Sequence, residues 1–143
     1  MGLTRTFVMI KPDGVRRNLV GKIIGRFEEA GIKLITMQML SVSRKMAEKH
    51  YAEHEGKEFY KRLLNFITSG PSIAMVLEGS NVVPEVRKMV GATNPAEAES
   101  GTIRGDFREE PLKSTTENMI HASDSDQSAN REIKLFFGKN YLL

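Results

Sequence analysis

Apolar residues fall along the chain in short runs and in helically spaced sets, separated by turn residues. The first run, in TRTFVMIKPDG, stops at the turn signal Pro12-Asp13-Gly14 and predicts a strand over residues 5 to 10. In LVGKIIGRFEEAGI the apolar residues recur every three or four positions, which predicts a helix with Gly31 at its C-terminal cap. IKLITMQMLSV then predicts a second strand.

The same alternation continues beyond this strand. Ser43 predicts the N-cap of a helix, and a further helical pattern in EFYKRLLNFI ends at the turn residues SGP. SIAMVLEG predicts a buried strand, and VVPEVRKMV predicts a short helix that tolerates Pro84 in its first turn. A short strand around NMIH and an amphipathic helix over roughly 125 to 137 follow.

The stretch from Gly91 to about Glu117 has no such pattern and predicts a long loop, which inside a compact domain is usually functional or disordered. The order of the other elements contains β-α-β-β-α-β. It predicts an α/β (α+β) fold of the ferredoxin-like type, with a four-stranded antiparallel sheet covered by helices. Because no repeat or linker divides the chain, we expect residues 1–143 to form a single domain.

Composition narrows the class of protein. The chain has 143 residues, of which 40% are hydrophobic and 27% charged, as in ordinary globular domains. It contains no apolar run of about 18 residues, so we expect no membrane contact. The absence of cysteine and of an apolar leader favours a cytoplasmic location. The net charge of +3 is dispersed, which favours a small anionic ligand over nucleic acid.

Familiar phosphate and zinc motifs are absent. Gly21-Lys22 is followed by Ile23 where a P-loop requires Ser or Thr. HYAEH, which runs from His50 to His54, lacks the glutamate that follows the first histidine of HExxH. These two histidines are therefore expected on a solvated or partly buried helix face, with no metal held by protein side chains. Any phosphate contacts must come from individual side chains.

His121, in NMIHASDS, lies where a predicted strand meets a predicted helix. A neutral imidazole is available near pH 7 and can act as nucleophile, base or ligand. The residues alone leave a structural and a reactive histidine equally open. Ser123, Asp124 and Ser125 are by default helix-capping residues.

Cations near predicted element ends are the other candidates. Lys11 ends the first strand, Arg87 lies on the short helix, and Arg104 lies in the long loop within GTIRGDF. Lys88 is equally suitable from the local sequence. Each of these side chains taken singly is more often a solvated charge than a ligand contact.

Four segments, in the same order, resemble the nucleoside diphosphate kinase family. They are RTFVMIKPDGV, SGPSIAMVLEG, TNPAEAESGTIRGDF and NMIHASDS, and the last matches the signature N-x-x-H-[GA]-S-D around a phosphorylated histidine. The likeness runs from Arg5 to Phe137. It implies that His121 accepts the γ-phosphate of a nucleoside triphosphate and passes it to a nucleoside diphosphate in a ping-pong reaction.

The resemblance also implies where the nucleotide binds. Its phosphates would meet Lys11, Arg87, Arg104, Thr93 and Tyr51, with Mg²⁺ carried mainly by the phosphates themselves. Its base would stack on Phe59, with Tyr60 as the fallback, because the apolar face of the predicted helix EFYKRLL alone would make Phe59 a core residue. Its ribose would contact Asn118. Ser123 and Glu132 would hold the imidazole in place.

Some features of the chain depart from the family pattern. Ala122 stands where many members have Gly, which matters if a positive φ is needed there. The loop segment REEPLKSTTE, within 107–117, is longer than in many relatives. The resemblance implies a homo-oligomer, and a hexamer is favoured over a tetramer because the loop with Pro95, which members use for trimer contacts, is kept. The alternatives are a non-catalytic ferredoxin-like binding module and a phosphohistidine signalling protein phosphorylated by a partner.

Overall fold

A sheet of four strands lies at the centre of the computed structural model, which describes residues 2–112, 117–139 and 141. The strands are β1 (Thr4–Ile10), β2 (Lys33–Leu40), β3 (Ser72–Gly79) and β4 (Ile120–Ala122). They lie in the order β2-β3-β1-β4, and every neighbouring pair is antiparallel. The predicted fold class is confirmed, and β1 is an inner strand.

Seven α-helices accompany the sheet in the described residues, namely α1 (Pro12–Arg16), α2 (Val20–Glu29), α3 (Arg44–His50), α4 (Tyr60–Ile67), α5 (Val82–Val90), α6 (Ile103–Phe107) and α7 (Asp126–Phe137). Two short 3-10 helices, Ala52–His54 and Pro95–Glu97, lie between them. Ser43 caps α3 by accepting a hydrogen bond from the Met46 amide, as predicted. Ser125 caps α7 in the same way, through the Ser128 amide.

The alternation of β1 divides the core into two layers. Val8 and Ile10 point to one face, where residues of α2 and α5 cover them. Phe7 and Met9 point to the other face and pack with residues of α3, α4 and α7. All four side chains are fully buried, so β1 and the loop that follows it form a rigid base.

Two short helices lie where the sequence predicted a turn and a loop. The Pro12-Asp13-Gly14 segment begins α1, since proline is well suited to the first turn of a helix. In the long loop, the Thr102 hydroxyl accepts from the Gly105 amide and starts α6. The unbroken loop prediction is therefore wrong over this part of the chain. Residues 113–116 of the longer insertion lie outside the described residues.

Ala122 lies in β4, where it pairs with Val8. Its backbone is extended and requires no glycine, so the exchange of Gly for Ala does not disturb the strand. None of the helices in the described ranges combines the length and apolar character needed to cross a bilayer. That residues 1–143 form a single domain stays a prediction.

Candidate active site

A cavity of about 870 Å³ opens beside the ends of β1 and β4. Nine of the ten predicted site residues line it, namely Lys11, Tyr51, Phe59, Arg87, Thr93, Arg104, Asn118, His121 and Glu132. The tenth, Ser123, is fully buried and bonds to the Glu132 carboxylate. The structure thus brings together residues that are spread over most of the chain.

The pairing of β1 with β4 places the two ends of the chain at one site. Met9 pairs with His121 and Ile10 with Ile120. The pairing continues beyond β1, because the Lys11 amide donates to the Met119 carbonyl over 2.9 Å. His121 therefore lies on the sheet face that α3 and α7 cover, and Lys11 lies at its edge.

The His121 imidazole is held from one side by a buried carboxylate. Its Nε2 lies 2.9 Å from Oε1 of Glu132, which is 3% exposed. The Ser123 hydroxyl donates to the same oxygen over 2.5 Å. Because the carboxylate accepts, Nε2 carries the hydrogen and the lone pair is left on Nδ1. Among the described residues, none forms a hydrogen bond with Nδ1.

His50 and Tyr51, at the end of α3, also line the cavity. Burial lowers the pKa of His50 well below its usual value, with a further contribution from His121. Burial also raises the pKa of Tyr51, to which Glu132 adds. Within the described ranges, the Tyr51 hydroxyl and both ring nitrogens of His50 are buried without a hydrogen-bond partner.

Two of the cationic side chains at this site, Lys11 and Arg104, are buried rather than freely solvated. Burial, helped by the charge of Arg104, lowers the pKa of Lys11 to about 7. Burial and the nearby Arg87 lower the pKa of Arg104 to about 10, so the guanidinium stays charged at neutral pH. Mutual repulsion and burial both disfavour these positive charges, and an anion bound between them would relieve both effects.

Arg104 also organises the backbone around the cavity. Its guanidinium donates to the carbonyls of Gly91, Asn118 and Ile120 over 3.2, 3.4 and 2.5 Å. Arg87 also lines the cavity, where its exposed side chain donates to the Ala122 carbonyl over 3.3 Å. One cation is therefore fixed at the floor of the cavity and the other is exposed at its mouth.

Asn118 is fixed by bonds to both of its amide atoms. Its Oδ1 accepts from Lys11 Nζ over 2.9 Å, and its Nδ2 donates to the Thr93 carbonyl over 3.0 Å. The next residue, Met119, has a positive φ of 60°, and Asp13 Oδ2 accepts from its amide over 2.9 Å. Burial raises the pKa of Asp13, which is 3% exposed.

Gly14 allows α1 to lie close to Ile10 and Met119. A Cβ at this position would lie 2.9 Å from the Met119 carbonyl oxygen and 2.8 Å from Ile10 Cγ2. Only glycine at position 14 therefore lets α1 contact Met119, the residue with positive φ that follows Asn118.

The apolar end of the cavity is built around Phe59, which precedes α4 and is 38% exposed. The His54 ring lies 5.3 Å from the Phe59 ring, and Arg62 and Leu63 line the same end. An exposed aromatic ring at the mouth of a polar cavity can stack on a flat ligand.

Sequence reasoning missed several residues at this site. The sequence predicted His50 on a solvated or partly buried helix face, whereas it is 3% exposed because its neighbours are distant in sequence. The sequence indicated only a turn for Asp13 and only a helix cap for Asp124. No motif indicated a role for His54. Its position beside Phe59 could have been found from the spacing of the two residues across a short loop.

Comparisons with known proteins find relatives that match nearly the whole chain. The family model described as Nucleoside diphosphate kinase matches residues 4–142. A nucleoside diphosphate kinase from Methanocaldococcus jannaschii is 62% identical over 93% of this chain and 92% of its own. One from Archaeoglobus fulgidus is 56% identical over 99% and 91%.

A solved structure is also similar. The nucleoside diphosphate kinase of Halobacterium salinarum, in complex with CDP, superimposes with a TM-score of 0.93 and 44% identity, covering 99% of this chain and 92% of that one. The similarity therefore extends across the sheet and the helices.

Proposed function

Because this chain belongs to the nucleoside diphosphate kinase family, it transfers the terminal phosphoryl group of a nucleoside triphosphate to a nucleoside diphosphate, and we propose that His121 carries this group between the two nucleotides. One observation carries the proposal. Glu132 accepts from Nε2 of His121 over 2.9 Å, which leaves the Nδ1 lone pair available beside three cations. A base-positioned imidazole of this kind is an activated nucleophile.

The transfer takes place in two steps. In the first, the Nδ1 lone pair forms a bond to the γ-phosphorus, and the bond from that phosphorus to the bridging oxygen breaks. The diphosphate leaves with the electron pair on that oxygen. In the second, a terminal oxygen of another diphosphate attacks the phosphorus, and the electron pair of the N–P bond returns to Nδ1. The positive charge on the ring is stabilised throughout by Glu132, which Ser123 keeps oriented.

The cations act on the phosphoryl group as it moves. Phosphoryl transfer depends mainly on positioning and on charge placed near the phosphate oxygens. Lys11 and Arg104 provide this charge from the floor of the cavity, and Arg87 provides it from the mouth. The Tyr51 hydroxyl, which lacks a partner in the described part of the chain, can donate to a phosphate oxygen. Thr93 offers a second hydroxyl.

The nucleoside is bound by shape rather than by base-specific contacts. Phe59 offers a ring to the base, and Asn118, fixed by Lys11 and Thr93, offers its amide to the ribose hydroxyls. Stacking without hydrogen bonds to the base edge accepts purines and pyrimidines alike.

Mg²⁺ is the metal that this reaction implies, and the cavity fits a metal carried mainly by phosphates. Its floor is cationic, and the exposed carboxylates that line it are those of Glu53, Glu97 and Asp124, of which Asp124 lies three residues after His121. Hydrogen bonds from Ser128 and Ser125 lower the pKa of Asp124 and keep it ionised. Mg²⁺ prefers oxygen ligands and would neutralise charge on the phosphates, with Asp124 and water completing its coordination.

Labelling with a nucleoside triphosphate tests the role of His121. Incubate the protein with γ-labelled ATP and Mg²⁺, and measure acid-labile, alkali-stable label. We expect a GDP or CDP chase to remove the label, His121→Ala to take up none, and His54→Gln to remain labelled. Label that persists in His121→Ala would contradict the proposal.

The same experiment separates the alternatives. A binding module would take up no label. A signalling protein phosphorylated by a partner would not be labelled by ATP alone, and a nucleoside diphosphate would not remove its phosphate. Label that appears with ATP and leaves with CDP excludes both.

We further propose that the protein is a cytoplasmic homo-oligomer. β2 is an outer strand of the sheet, and its Met37 and Met39 are 49% and 59% exposed. Apolar side chains on a sheet edge are typically covered by another chain. A hexamer is favoured over a tetramer because the Pro95 loop resembles the trimer-contact loop of family members. The absence of cysteine from the chain supports the cytoplasmic location.

A further inference from the structure

The buried imidazole of His50 has no role in the reaction described above. It is 3% exposed at the end of α3, and within the described ranges neither ring nitrogen has a hydrogen-bond partner. Leaving a buried donor or acceptor unpaired costs about 1–3 kcal/mol. Buried polar groups in proteins are paired in the large majority of cases, so these nitrogens indicate a ligand at this point.

Two further donors lie beside the His50 ring. The His50 and His121 ring centres are 4.7 Å apart, with planes at 81°. One ring nitrogen of His50, one ring nitrogen of His121 and one carboxylate oxygen of Glu132 lie within 4.8 Å of one another. The three residues come from α3, β4 and α7, which is why no motif on one helix could predict the cluster.

The donor set selects a particular class of metal. Two imidazoles and one carboxylate, with a fourth position open to a cavity, form a ligand set that zinc enzymes use. Zinc–nitrogen and zinc–oxygen bonds of about 2.0–2.2 Å set ligand atoms roughly 3.4 Å apart. Small side-chain rotations in His50 and His121 would bring the three atoms to that spacing. Mg²⁺ prefers an all-oxygen set, so this cluster differs from the magnesium carried by the nucleotide.

We propose that His50, His121 and Glu132 form a binding site for a divalent transition-metal ion such as Zn²⁺, and that the bound ion inhibits phosphoryl transfer. The inhibition rests on the proposed function of His121, whereas the binding does not.

Metal binding blocks His121 whichever nitrogen is used. If the ion binds Nδ1, it occupies the lone pair that attacks the phosphorus. If it binds Nε2, it displaces the hydrogen that Glu132 accepts, and the neutral ring then carries its hydrogen on Nδ1. Neither form is nucleophilic at Nδ1. The bound ion therefore prevents attack by Nδ1 on the phosphorus even when a nucleotide is bound.

Cobalt provides a test that does not depend on activity. Co²⁺ binds the same ligands as Zn²⁺ and absorbs visible light when four- or five-coordinate. We expect the nucleotide-free protein to develop these bands at a stoichiometric amount of Co²⁺, and a stoichiometric amount of Zn²⁺ to abolish them. No visible bands would overturn the proposal.

Substitution of His50 assigns the ligands. His50→Phe suits the buried aromatic surroundings of Phe7 and Phe136, and His50→Gln is a polar alternative if the first variant fails to fold. Both should weaken Co²⁺ binding at least about tenfold. Loss of a residue that only hydrogen-bonds to a metal ligand already costs about that much affinity, and loss of a ligand should cost no less. The matched control His54→Gln, which alters another histidine of the cavity, should retain the bands. Bands unchanged in both His50 variants, or lost in His54→Gln, would contradict the site.

Inhibition is measured separately. With Mg²⁺ present and free Zn²⁺ buffered, Zn²⁺ should suppress uptake of label from γ-labelled ATP, and half-suppression in His50→Phe should need at least about tenfold more Zn²⁺. If His121 takes up no label even without Zn²⁺ while the cobalt bands are intact, the proposed function fails and the metal site stands. If label uptake is normal and insensitive to bound Zn²⁺, the inhibitory role fails.

Discussion

Lys11 lies at a position where a positive charge is costly before a ligand arrives. Its side chain is 6% exposed, and burial together with Arg104 lowers its pKa to about 7. Asp13 counteracts part of this effect. Phosphate oxygens would favour the charged form, so binding of a nucleoside triphosphate above pH 7 should be accompanied by uptake of a proton.

The stability of the free protein should depend on the pH through Lys11. The unfolded chain keeps this lysine protonated up to about pH 10.5, whereas the folded protein loses the proton near pH 7. Between these values the unfolded state binds more protons, so the Lys11 contribution to the free energy of unfolding rises with pH. In urea unfolding, the stability of Lys11→Met relative to wild type should therefore fall by about 2.5–3 kcal/mol from pH 6 to pH 9. A constant difference would contradict the lowered pKa.

Phe59 provides a test of nucleotide stacking. Phe59→Ala should weaken nucleotide binding by about 1–3 kcal/mol, the range for stacking of a base on an aromatic side chain, because the ring is exposed at the mouth of the cavity. Isothermal titration with a nucleoside diphosphate measures this loss. Phe59→Tyr, which keeps the ring, should bind nearly as well as wild type. An unchanged affinity of Phe59→Ala would assign the base to another residue.

Individual site residues could be predicted from the sequence only where they lie within a recognisable motif. His121 and Lys11 lie within segments that resemble a known signature, so their positions could be predicted. The setting of His50 could not, because its neighbours Phe136 and His121 are distant along the chain. A signature identifies residues in fixed order, whereas a buried cluster is assembled by tertiary packing.

Among the elements, α6 shows how a short helix can support a site. It carries Arg104, and it begins where Thr102 accepts from the Gly105 amide. The helix passes so close to Glu99 that a Cβ at Gly105 would lie 1.9 Å from the Glu99 carbonyl oxygen.

Gly105→Ala should therefore displace α6 and with it Arg104. We expect a loss of stability of about 1–3 kcal/mol, typical of overpacking in a tight contact, together with weaker nucleotide binding. Chemical denaturation and nucleotide titration measure the two effects. The matched control is Gly25→Ala in α2, where no atom lies within 4 Å of the added Cβ. That variant should be more stable by about 0.5–1 kcal/mol, since alanine favours a helix interior. Equal stabilities would contradict the close contact.

The elements with strong periodicity were predicted well, and α6 was missed for a physical reason. The strands β1 and β3 and the helices α2 and α7 each place a regular set of apolar residues against the core. In α6, five residues form a single turn, which is too short to display a period of 3.6. Its start depends on a side-chain cap and a close backbone contact, which hydrophobic spacing does not record.

For the molecule as a whole, the outer surface of β2 offers the clearest test of assembly. Met37 and Met39 lie on one face of the strand because side chains two residues apart point the same way. Met39→Glu should place a charge in the proposed interface and reduce the mass measured by light scattering. Gln38→Glu, which adds the same charge on the other face of the strand, should leave the mass unchanged. A wild-type mass equal to one chain would contradict the oligomer.

The position of β1 in the sheet has a consequence for how the protein is made. β1 lies between β3 and β4, although β4 and α7 are synthesised after the other described elements. On the ribosome, where N-terminal segments emerge first, one edge of β1 stays unpaired and Phe7 lacks its stacking partner Phe136 until these elements arrive. A nascent or prematurely terminated chain therefore carries Lys11 but not the His121–Glu132 pair, so it can attract phosphates without transferring them. The enzyme becomes competent only once β4 and α7 have folded onto β1.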